Sequence, residues 1–262
     1  MGTTVAEIRK RLQEADEREF AVLERSLVAD ARKGVRDAVE VARRRLEAQR
    51  AEAERLAGMY ALQAGIARER GASTAVGLDE VGRGPLAGPL AVGAVVLPDE
   101  PRVEGLNDSK QLSEAERERI AAEVKRVALA WTVEYVPPRD IDAQGMSACL
   151  RAAFSRAVEH IEGAGIPVDL ILLDGNPLHL DDREVNLVKG DARCASIAAA
   201  SIVAKVERDA LMRSYAARYP EYGFESNKGY ASAQHIEAIR RIGLSPLHRV
   251  SFCTAFAQQT LF

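Results

Sequence analysis

Four acidic residues stand where an α/β protein would place a reaction centre. Asp79 and Glu80 close a short apolar run, Asp174 closes another, and Asp191 opens a helical segment. Open α/β sheets bind their ligands at strand ends and helix starts. Carboxylates brought together repel one another and raise each other's pKa, so they stay ionised together only with a cation among them. Because no histidine or cysteine accompanies them, this oxygen-only set favours Mg²⁺ or Mn²⁺.

Each acid also has a purely structural interpretation, which the residues taken singly leave open. Asp191 can be the N-cap of its helix, and Asp174 can open the Asp-Gly-Asn-Pro turn that follows it. Asp79 and Glu80 can belong to a solvated turn, because acids beside glycines are common in turns. The apolar runs on both sides argue against such a turn, and the combination of four acids at such positions favours a shared site.

The glycine-rich stretch behind the first two acids has its own geometric requirement. Neighbouring side chains of a regular strand point to opposite faces. For Asp79 and Glu80 to act on one site, we therefore predict that the chain kinks at Glu80. Gly82 and Gly84 permit such a bend and let another molecule approach the bare backbone. The segment is suited to hold a cation and a ligand side by side.

Apolar runs predict the elements that must position these residues. Strands are expected at residues 74–78, 90–97, 127–136, 168–174 and 184–188, where the runs are short, rich in Val and Leu and bounded by turn residues. Helices are expected from residue 113, over residues 147–162, from 191 to 218 and over 231–242. This pattern predicts an α/β domain around a mixed sheet, followed by C-terminal helices.

The first 71 residues have a different character, that of a helical arm. Thr4 and Glu7 form a capping box, a second apolar pattern follows around Phe20, and a long helix without proline is expected over residues 30–64, with 65–73 as a connector. Its apolar stripe is thin, so the helix should lie on a partner surface or pair as a hairpin. The consecutive arginines at 43–45 could bind nucleic acid, although such a run more often forms a solvated face. We therefore predict a helical extension at 1–71 and a catalytic domain at 72–262.

Composition narrows the class of protein. A formal net charge of −3 over 262 residues excludes a uniformly basic protein but allows a local basic face for nucleic acid. Cys149, Cys194 and Cys253 are odd in number and widely spaced, which is typical of free thiols in a reducing compartment. The sequence has neither a signal-peptide pattern nor an apolar run of membrane-spanning length. We expect a soluble cytoplasmic protein.

Short motifs follow one another in order between residues 77 and 252, within a stretch of about residues 74–256. They are Gly-Leu-Asp-Glu-Val-Gly-Arg-Gly-Pro at 77–85, Leu-Asn-Asp-Ser-Lys at 106–110, Leu-Leu-Asp-Gly-Asn at 172–176, Lys-Gly-Asp-Ala at 189–192, Ala-Ala-Ala-Ser-Ile-Val-Ala-Lys-Val at 198–206, Asn-Lys-Gly-Tyr at 227–230 and His-Arg-Val-Ser-Phe at 248–252. Together they resemble the type 2 ribonucleases H, in particular bacterial ribonuclease HII. Arg83 favours type HII, because the related type HIII pattern has threonine at this place.

The resemblance implies a fold and a reaction. The fold would be ribonuclease H-like, a mixed five-stranded sheet flanked by helices, with the N-terminal α-helical arm in front. Asp79, Glu80, Asp174 and Asp191 match the four catalytic, metal-binding acids of the family, which hydrolyses phosphodiesters with two Mg²⁺ or Mn²⁺ ions. The implied substrates are RNA–DNA hybrids and duplex DNA with single embedded ribonucleotides. The cut falls 5′ of the ribonucleotide and leaves a 5′-phosphate and a 3′-hydroxyl.

The resemblance also implies which residues bind the substrate. The backbone of Gly82, Arg83 and Gly84 would contact the 2′-hydroxyl, the group that distinguishes RNA from DNA at a given site. Tyr230 would stack on the next sugar and favour a deoxynucleotide there. The candidates for phosphate contacts are Asn107, Ser109, Lys110, Lys189, Lys205 and Lys228. Lys205 could equally be a helix residue that reaches out of an apolar surface to water.

One rival hypothesis comes from a different class of protein. A catalytically silent adaptor that binds hybrids, with the arm as its protein-interaction module, would share these motifs. It would have no need of four costly clustered acids, so we favour the enzyme. We expect a monomer without a membrane partner. The arm is the segment through which a protein partner could bind.

Overall fold

The computed structural model describes residues 3–257, which form two compact units divided between Ala57 and Gly58. The first unit contains α1 (Val5–Glu14), α2 (Glu17–Leu27) and the beginning of α3 (Lys33–Arg70). The predicted capping box of α1 is confirmed, since Glu7 N–H donates to the Thr4 hydroxyl and the Glu7 carboxylate accepts from Thr4 N–H. A second capping box, between Asp16 and Glu19, starts α2. The three helices bury a small core of Ile8, Leu12, Phe20, Val35, Ala42 and Leu46.

Helix α3 is longer than the sequence pattern predicts. It continues through residues 65–70, which were expected to be a connector, and stops only before Gly71, whose φ is +64°. Its 38 residues span about 57 Å at the usual rise per residue. The boundary between the compact units lies inside this helix, whereas the sequence-based boundary at 71/72 follows its end. The division into 1–71 and 72–262 stays a prediction.

The second unit is built on a mixed five-stranded sheet. Its strands are β1 (Ala75–Val81), β2 (Leu90–Val96), β3 (Ala130–Val136), β4 (Leu170–Asp174) and β5 (Glu184–Leu187), and their order is β3-β2-β1-β4-β5. The strands β1, β2 and β3 pair antiparallel, while β4 is parallel to β1 and β5 is parallel to β4. The predicted fold class, a mixed five-stranded sheet flanked by helices, is confirmed.

Helices cover both faces of this sheet. On one face, α6 (Met146–Gly163) buries Ala153, Phe154 and Ala157 against the even-numbered residues of β1 and β2. On the other face, the backbone of α8 (Ala195–Arg218) lies directly on two glycines. A Cβ on Gly77 would stand 2.1 Å from the carbonyl carbon of Ser196, and one on Gly93 would stand 2.4 Å from the Ala200 oxygen. The glycines therefore set how closely α8 approaches the strands.

The segment after β5 differs from the single helix expected over 191–218. It forms one turn, α7 (Gly190–Arg193), then breaks at Cys194, whose extended backbone has φ −123° and ψ 129°, and continues as α8. The Cys194 side chain does not cap α8. The Gln63 side chain from the end of α3 instead accepts a hydrogen bond of 3.0 Å from Ser196 N–H. Asp191 is therefore inside a short turn and is not the N-cap of a long helix.

The remaining helices surround this core. They are α4 (Glu114–Val127), α5 (Pro138–Gln144), α9 (Phe224–Asn227), α10 (Ala233–Ile242) and α11 (Val250–Ala257). The capping box predicted at Ser113 and Glu116 starts α4. Helices α5, α9 and α11 were not predicted. All three cysteines are buried free thiols, and no helix among residues 3–257 has the length and apolar character needed to cross a membrane.

Candidate active site

A polar cleft of about 430 Å³ opens at the end of β1, where the first two acids lie. It receives side chains or backbone from β1, β4, α7 and α8, and from the loops at 82–84, 109–110 and 230. The lining residues are Asp79, Glu80, Val81, Gly82, Arg83, Gly84, Ser109, Lys110, Asp174, Asp191, Ser201, Lys205 and Tyr230. All four predicted acids are therefore brought into one cavity.

The kink predicted at Glu80 is wrong. Strand β1 stays paired with β2 through Glu80 opposite Val92 and Val81 opposite Ala91, and the bend follows at Gly82, whose φ is +89°. Asp79 and Glu80 are among the last three residues of β1. Although their side chains leave opposite faces of the strand, both line the cleft at the strand's end. Asp79 is 7% exposed and accepts a 2.7 Å hydrogen bond from Glu80 N–H.

Parallel pairing brings Asp174 to the same edge of the sheet. Because β4 runs in the same direction as β1, its last residue lies beside the end of β1. Gly190 N–H then donates to Asp174 Oδ1 at 2.6 Å and fixes the start of α7, in which Asp191 follows. A Cβ on Gly190 would stand 2.7 Å from Ile197 Cδ1 and 3.3 Å from Asp174 Oδ1. A side chain at residue 190 would therefore crowd Ile197 of α8 and the Asp174 carboxylate.

Asp79, Glu80 and Asp191 are destabilised as anions by their surroundings. Burial raises the pKa of Asp79 well above its usual range, and the charges of Glu80 and Asp174 raise it further, while the Ser201 side chain opposes the increase. Burial likewise raises the pKa of Glu80, against the neighbouring Arg83. The pKa of Asp191 is raised by burial and by the charges of Asp174 and Asp108. The cleft thus concentrates negative charge that the protein compensates only in part.

The donor set fits a hard divalent cation. Four carboxylates from three separate segments supply only oxygen, which Mg²⁺ and Mn²⁺ prefer. Their oxygens are engaged with local donors: Asp79 with Glu80 N–H, Asp174 with Gly190 N–H, and Glu80 with Arg83 at 3.0 Å. Within residues 3–257, no three or more His, Cys, Asp or Glu side chains are arranged as a group that could hold a metal ion. To hold a cation together, these carboxylates would therefore have to reorient.

Other predicted substrate residues share the cleft. Lys110 Nζ is 4.0 Å from Asp191 Oδ2 and its side chain is 83% exposed, so it is available to a ligand. Lys205 pairs with Asp209 at 2.8 Å, and Tyr230 is exposed at the rim. Ser109 is buried and its hydroxyl hydrogen-bonds Ser201 at 3.1 Å. This arrangement surrounds the acids with cationic and polar groups on the side of α8 and the 109–110 loop.

Three of the predicted phosphate ligands do not line the cleft. Asn107 Oδ1 accepts a hydrogen bond from Asp108 N–H. Lys189 is exposed and has a left-handed backbone (φ 56°) just before α7. Lys228, also left-handed, donates from Nζ to the Glu225 carbonyl. The side chains of Asn107 and Lys228 are thus engaged with neighbours in the chain, outside the cleft.

The sequence pattern missed several residues that organise the cleft. Ser201 lines it directly, and its position one turn before Lys205 on α8 is the signal that could have identified it. Arg208, one turn beyond Lys205, and Arg249, inside the 248–252 motif, are both completely buried. Arginine without exposure is rare enough that its presence in a motif marks a structural or functional requirement.

A directed chain of hydrogen bonds ends at the Tyr230 backbone. Ser245 N–H donates to His248 Nδ1 at 2.9 Å, so the proton of His248 is on Nε2. That nitrogen donates to His235 Nε2 at 3.0 Å, and His235 Nδ1 donates to the Tyr230 carbonyl at 2.8 Å. Burial lowers the pKa of both imidazoles, that of His248 to about 4, which keeps the pair neutral. The histidines therefore hold the loop that carries Tyr230.

Comparison with known proteins shows which family this chain belongs to. Residues 76–255 match the family model described as Ribonuclease HII, and residues 4–64 match that described as Ribonuclease HII N-terminal domain. The chain belongs to the ribonuclease HII family. It is 43% identical over 208 residues to Ribonuclease HII of Ruminiclostridium cellulolyticum (strain H10), covering 79% of this chain and 80% of the relative. It is 37% identical over 252 residues to Ribonuclease HII of Listeria monocytogenes serotype 4b, covering 96% and 95%.

Solved structures agree with this assignment. The ribonuclease H2 from Pyrococcus horikoshii OT3 superposes with a TM-score of 0.60 at 26% identity, covering 71% of this chain and 98% of that one. The resemblance inferred from the motifs is confirmed, and with it the enzyme class. As a member of this family the chain is a hydrolase, an endonuclease of the ribonuclease H type.

Proposed function

We propose that this enzyme hydrolyses the phosphodiester 5′ of ribonucleotides, in RNA–DNA hybrids and at single ribonucleotides in duplex DNA, and leaves 5′-phosphate and 3′-hydroxyl ends. One observation carries the proposal. The acids Asp79 and Glu80 and the glycine loop at 82–84 follow one another in the chain and line the same cleft. The loop that would contact the sugar is therefore only a few residues from the carboxylates that would act on its phosphate.

The four acids are the residues that would hold the metal ions, which we propose are Mg²⁺ or Mn²⁺. When bound, a pair of such ions lowers the pKa of the attacking water and stabilises the leaving oxygen. The protein's own part is to bring Asp79, Asp174 and Asp191 together by parallel pairing of β1 with β4 and by the Gly190 turn. Burial of these acids prepares an electrostatic environment in which a cation is more strongly attracted than at the surface.

Recognition of the substrate is assigned to the rim of the cleft. Gly84 has open space where a Cβ would be, so a sugar can approach the backbone there. We assign the 2′-hydroxyl to the backbone of residues 82–84 and the adjacent deoxyribose to the exposed ring of Tyr230. Lys110 and Lys205 are the lysines that line the cleft with the acids, and we assign them to the phosphates.

The rival hypothesis, a silent hybrid-binding adaptor, predicts the same binding surface without turnover. A duplex DNA labelled at one end and carrying one ribonucleotide distinguishes the two. We expect one cut on the 5′ side of the ribonucleotide with Mg²⁺ or Mn²⁺ and none with a chelator, and no cut in the all-DNA duplex. Tight binding of the ribonucleotide duplex without cleavage in either metal would establish the adaptor instead.

A further inference from the structure

Arg249 is a buried cation that the reaction as described does not use. Its relative exposure is 0%, and among residues 3–257 no carboxylate lies within salt-bridge distance of its guanidinium. The residue is placed by pairing of its segment with the end of the glycine loop. Gly88 N–H donates to the Leu247 carbonyl and Arg249 N–H to the Leu86 carbonyl, each at 2.8 Å. Burial of an unpaired charge is costly, so the position calls for an explanation.

The guanidinium donates to carbonyls of the glycine loop. Nη2 donates to the Gly82 oxygen at 2.6 Å and to the Gly88 oxygen at 2.9 Å. Nη1 donates to the Arg83 oxygen at 2.9 Å, and Nε donates to Gly88 at 3.1 Å. The planar fork thus spans both ends of the loop. Phe252, from the next turn of α11, supports it with its ring centroid 5.3 Å from Arg249 Cζ.

This arrangement determines where the loop's N–H groups point. In a trans peptide the C=O and N–H bonds point in opposite directions. The peptides after Gly82 and Arg83 are trans, and both carbonyls point at Arg249. The N–H groups of Arg83 and Gly84 therefore point away from the guanidinium. Neither has a hydrogen-bond acceptor among the described residues, and both residues line the cleft.

We propose that Arg249 is a positioning residue for sugar recognition: by holding the carbonyls of Gly82 and Arg83, it aims the N–H groups of Arg83 and Gly84 at the 2′ oxygen of a ribonucleotide. This inference rests on the proposed function and deepens it. The two donors are pre-oriented before the substrate arrives, so binding does not have to order the loop.

Lysine cannot replace arginine in this role. An ammonium is a point charge on a flexible stem, whereas the guanidinium presents five N–H donors in a fixed plane. The four hydrogen bonds of Arg249 require that plane, since they diverge to residues at both ends of the loop. Gly82 is packed against the second buried arginine, since a Cβ at this residue would stand 2.3 Å from Arg208 Nε.

The test compares Arg249→Lys with Cys253→Ala, a matched control. Cys253 is one turn further along α11 and fully buried, and its thiol contacts the Leu86 carbonyl but not residues 82–84. For each protein, KM and kcat are measured on a duplex with one ribonucleotide. The inhibition constant of the same duplex with a deoxyribonucleotide at that place is measured in parallel. The ratio of the inhibition constant to KM reports discrimination by the 2′-hydroxyl, and melting temperatures report stability.

We expect Arg249→Lys to lower this ratio about tenfold, the value of one lost hydrogen bond to substrate. Cys253→Ala should lose stability and keep the ratio of the wild type. A ratio within twofold of the wild type in Arg249→Lys would overturn the inference and leave Arg249 a structural residue. If Arg249→Lys does not fold, Phe252→Leu decides, with an expected decrease of about twofold to threefold from weaker support of the guanidinium. An unchanged ratio there overturns the inference as well.

The proposed function fails by a different result. A wild-type enzyme that does not distinguish the two duplexes would contradict sugar recognition altogether, and with it the role of Arg249. A wild-type enzyme that discriminates, together with an unchanged Arg249→Lys ratio, contradicts only the role of Arg249.

Discussion

Helices α3 and α8 are both long and rich in alanine, yet their alanines serve different purposes. Every side chain of α8 from Ala195 to Ala204 is buried, and its backbone touches the glycines of β1 and β2. In α3 the buried residues form one stripe that includes Val35, Ala42 and Leu46, and charged residues occupy the other sides. Alanine in α8 therefore permits close packing against a sheet, whereas on the exposed sides of α3 it chiefly favours the helical state.

The arginines of the two helices differ in the same way. Arg43 on α3 pairs at 2.6 Å with both Glu24 and Glu40 and keeps 42% of its side chain exposed. Arg208 on α8 is fully buried and donates to the carbonyls of Pro89, Ala87 and Lys228 at 2.9, 3.3 and 3.0 Å. The first forms exchangeable surface ion pairs, and the second determines where two loops of the active site lie.

The largest expected effect is on stability. Arg208→Met should lower the free energy of unfolding by about 3–5 kcal/mol, because it leaves buried carbonyls of three residues without a donor. Arg43→Met removes only exposed ion pairs and should leave the unfolding midpoint nearly unchanged. Urea unfolding followed by far-ultraviolet circular dichroism, which reports the helices of both units, measures both. Equal destabilisation by the two substitutions would contradict the contrast between the helices.

Substitution of glycine by alanine should have opposite effects on stability beneath α8 and within α3. Gly77→Ala places a Cβ 2.1 Å from the backbone of Ser196 and should cost about 3 kcal/mol, since neither the strand nor α8 can move freely. Gly58→Ala in α3 meets nothing within 4 Å and should stabilise the protein by about 0.5–1 kcal/mol. Thermal unfolding followed by circular dichroism compares them. A stabilising Gly77→Ala would show that α8 does not lie on β1 as described.

The smallest expected effect is on how strongly salt weakens substrate binding. Lys205 of α8 lines the cleft, whereas Arg44 of α3 is bound to Glu40 at 2.8 Å on an exposed surface. In plots of log affinity for a ribonucleotide-containing duplex against log salt concentration, Lys205→Gln should reduce the slope by about one. Arg44→Gln should leave it unchanged. An unchanged slope for Lys205→Gln would favour the alternative that this lysine only reaches past an apolar surface to water.

The sheet and the meeting of the acids could be predicted from sequence because both follow local patterns. Short apolar runs ending in Asp79 and Asp174 indicate strand ends, and capping boxes at Thr4 and Ser113 indicate helix starts. The bend at Gly82 and the break at Cys194 could not, since both depend on partners far away in sequence. Arg208 occupies the space beside Gly82, and Gln63 caps α8 after the break.

Long-range contacts also explain why the buried arginines were missed. The acceptors of Arg249 are Gly82, Arg83 and Gly88, more than 160 residues away in sequence. No periodicity connects such positions. In the sequence, only the motif at 248–252 indicated that this segment has a functional or structural role. The structure shows which carbonyls Arg249 of this motif contacts.

We propose that the four acids, which come from three segments, act as one reaction centre on a substrate that other residues hold. Single-turnover cleavage and equilibrium binding of a one-ribonucleotide duplex by Asp79→Asn test it most directly. We expect cleavage to fall at least about a thousandfold while the dissociation constant stays within about threefold of the wild type. Cleavage within tenfold of the wild type, or a loss of binding that matches the loss of cleavage, would contradict it.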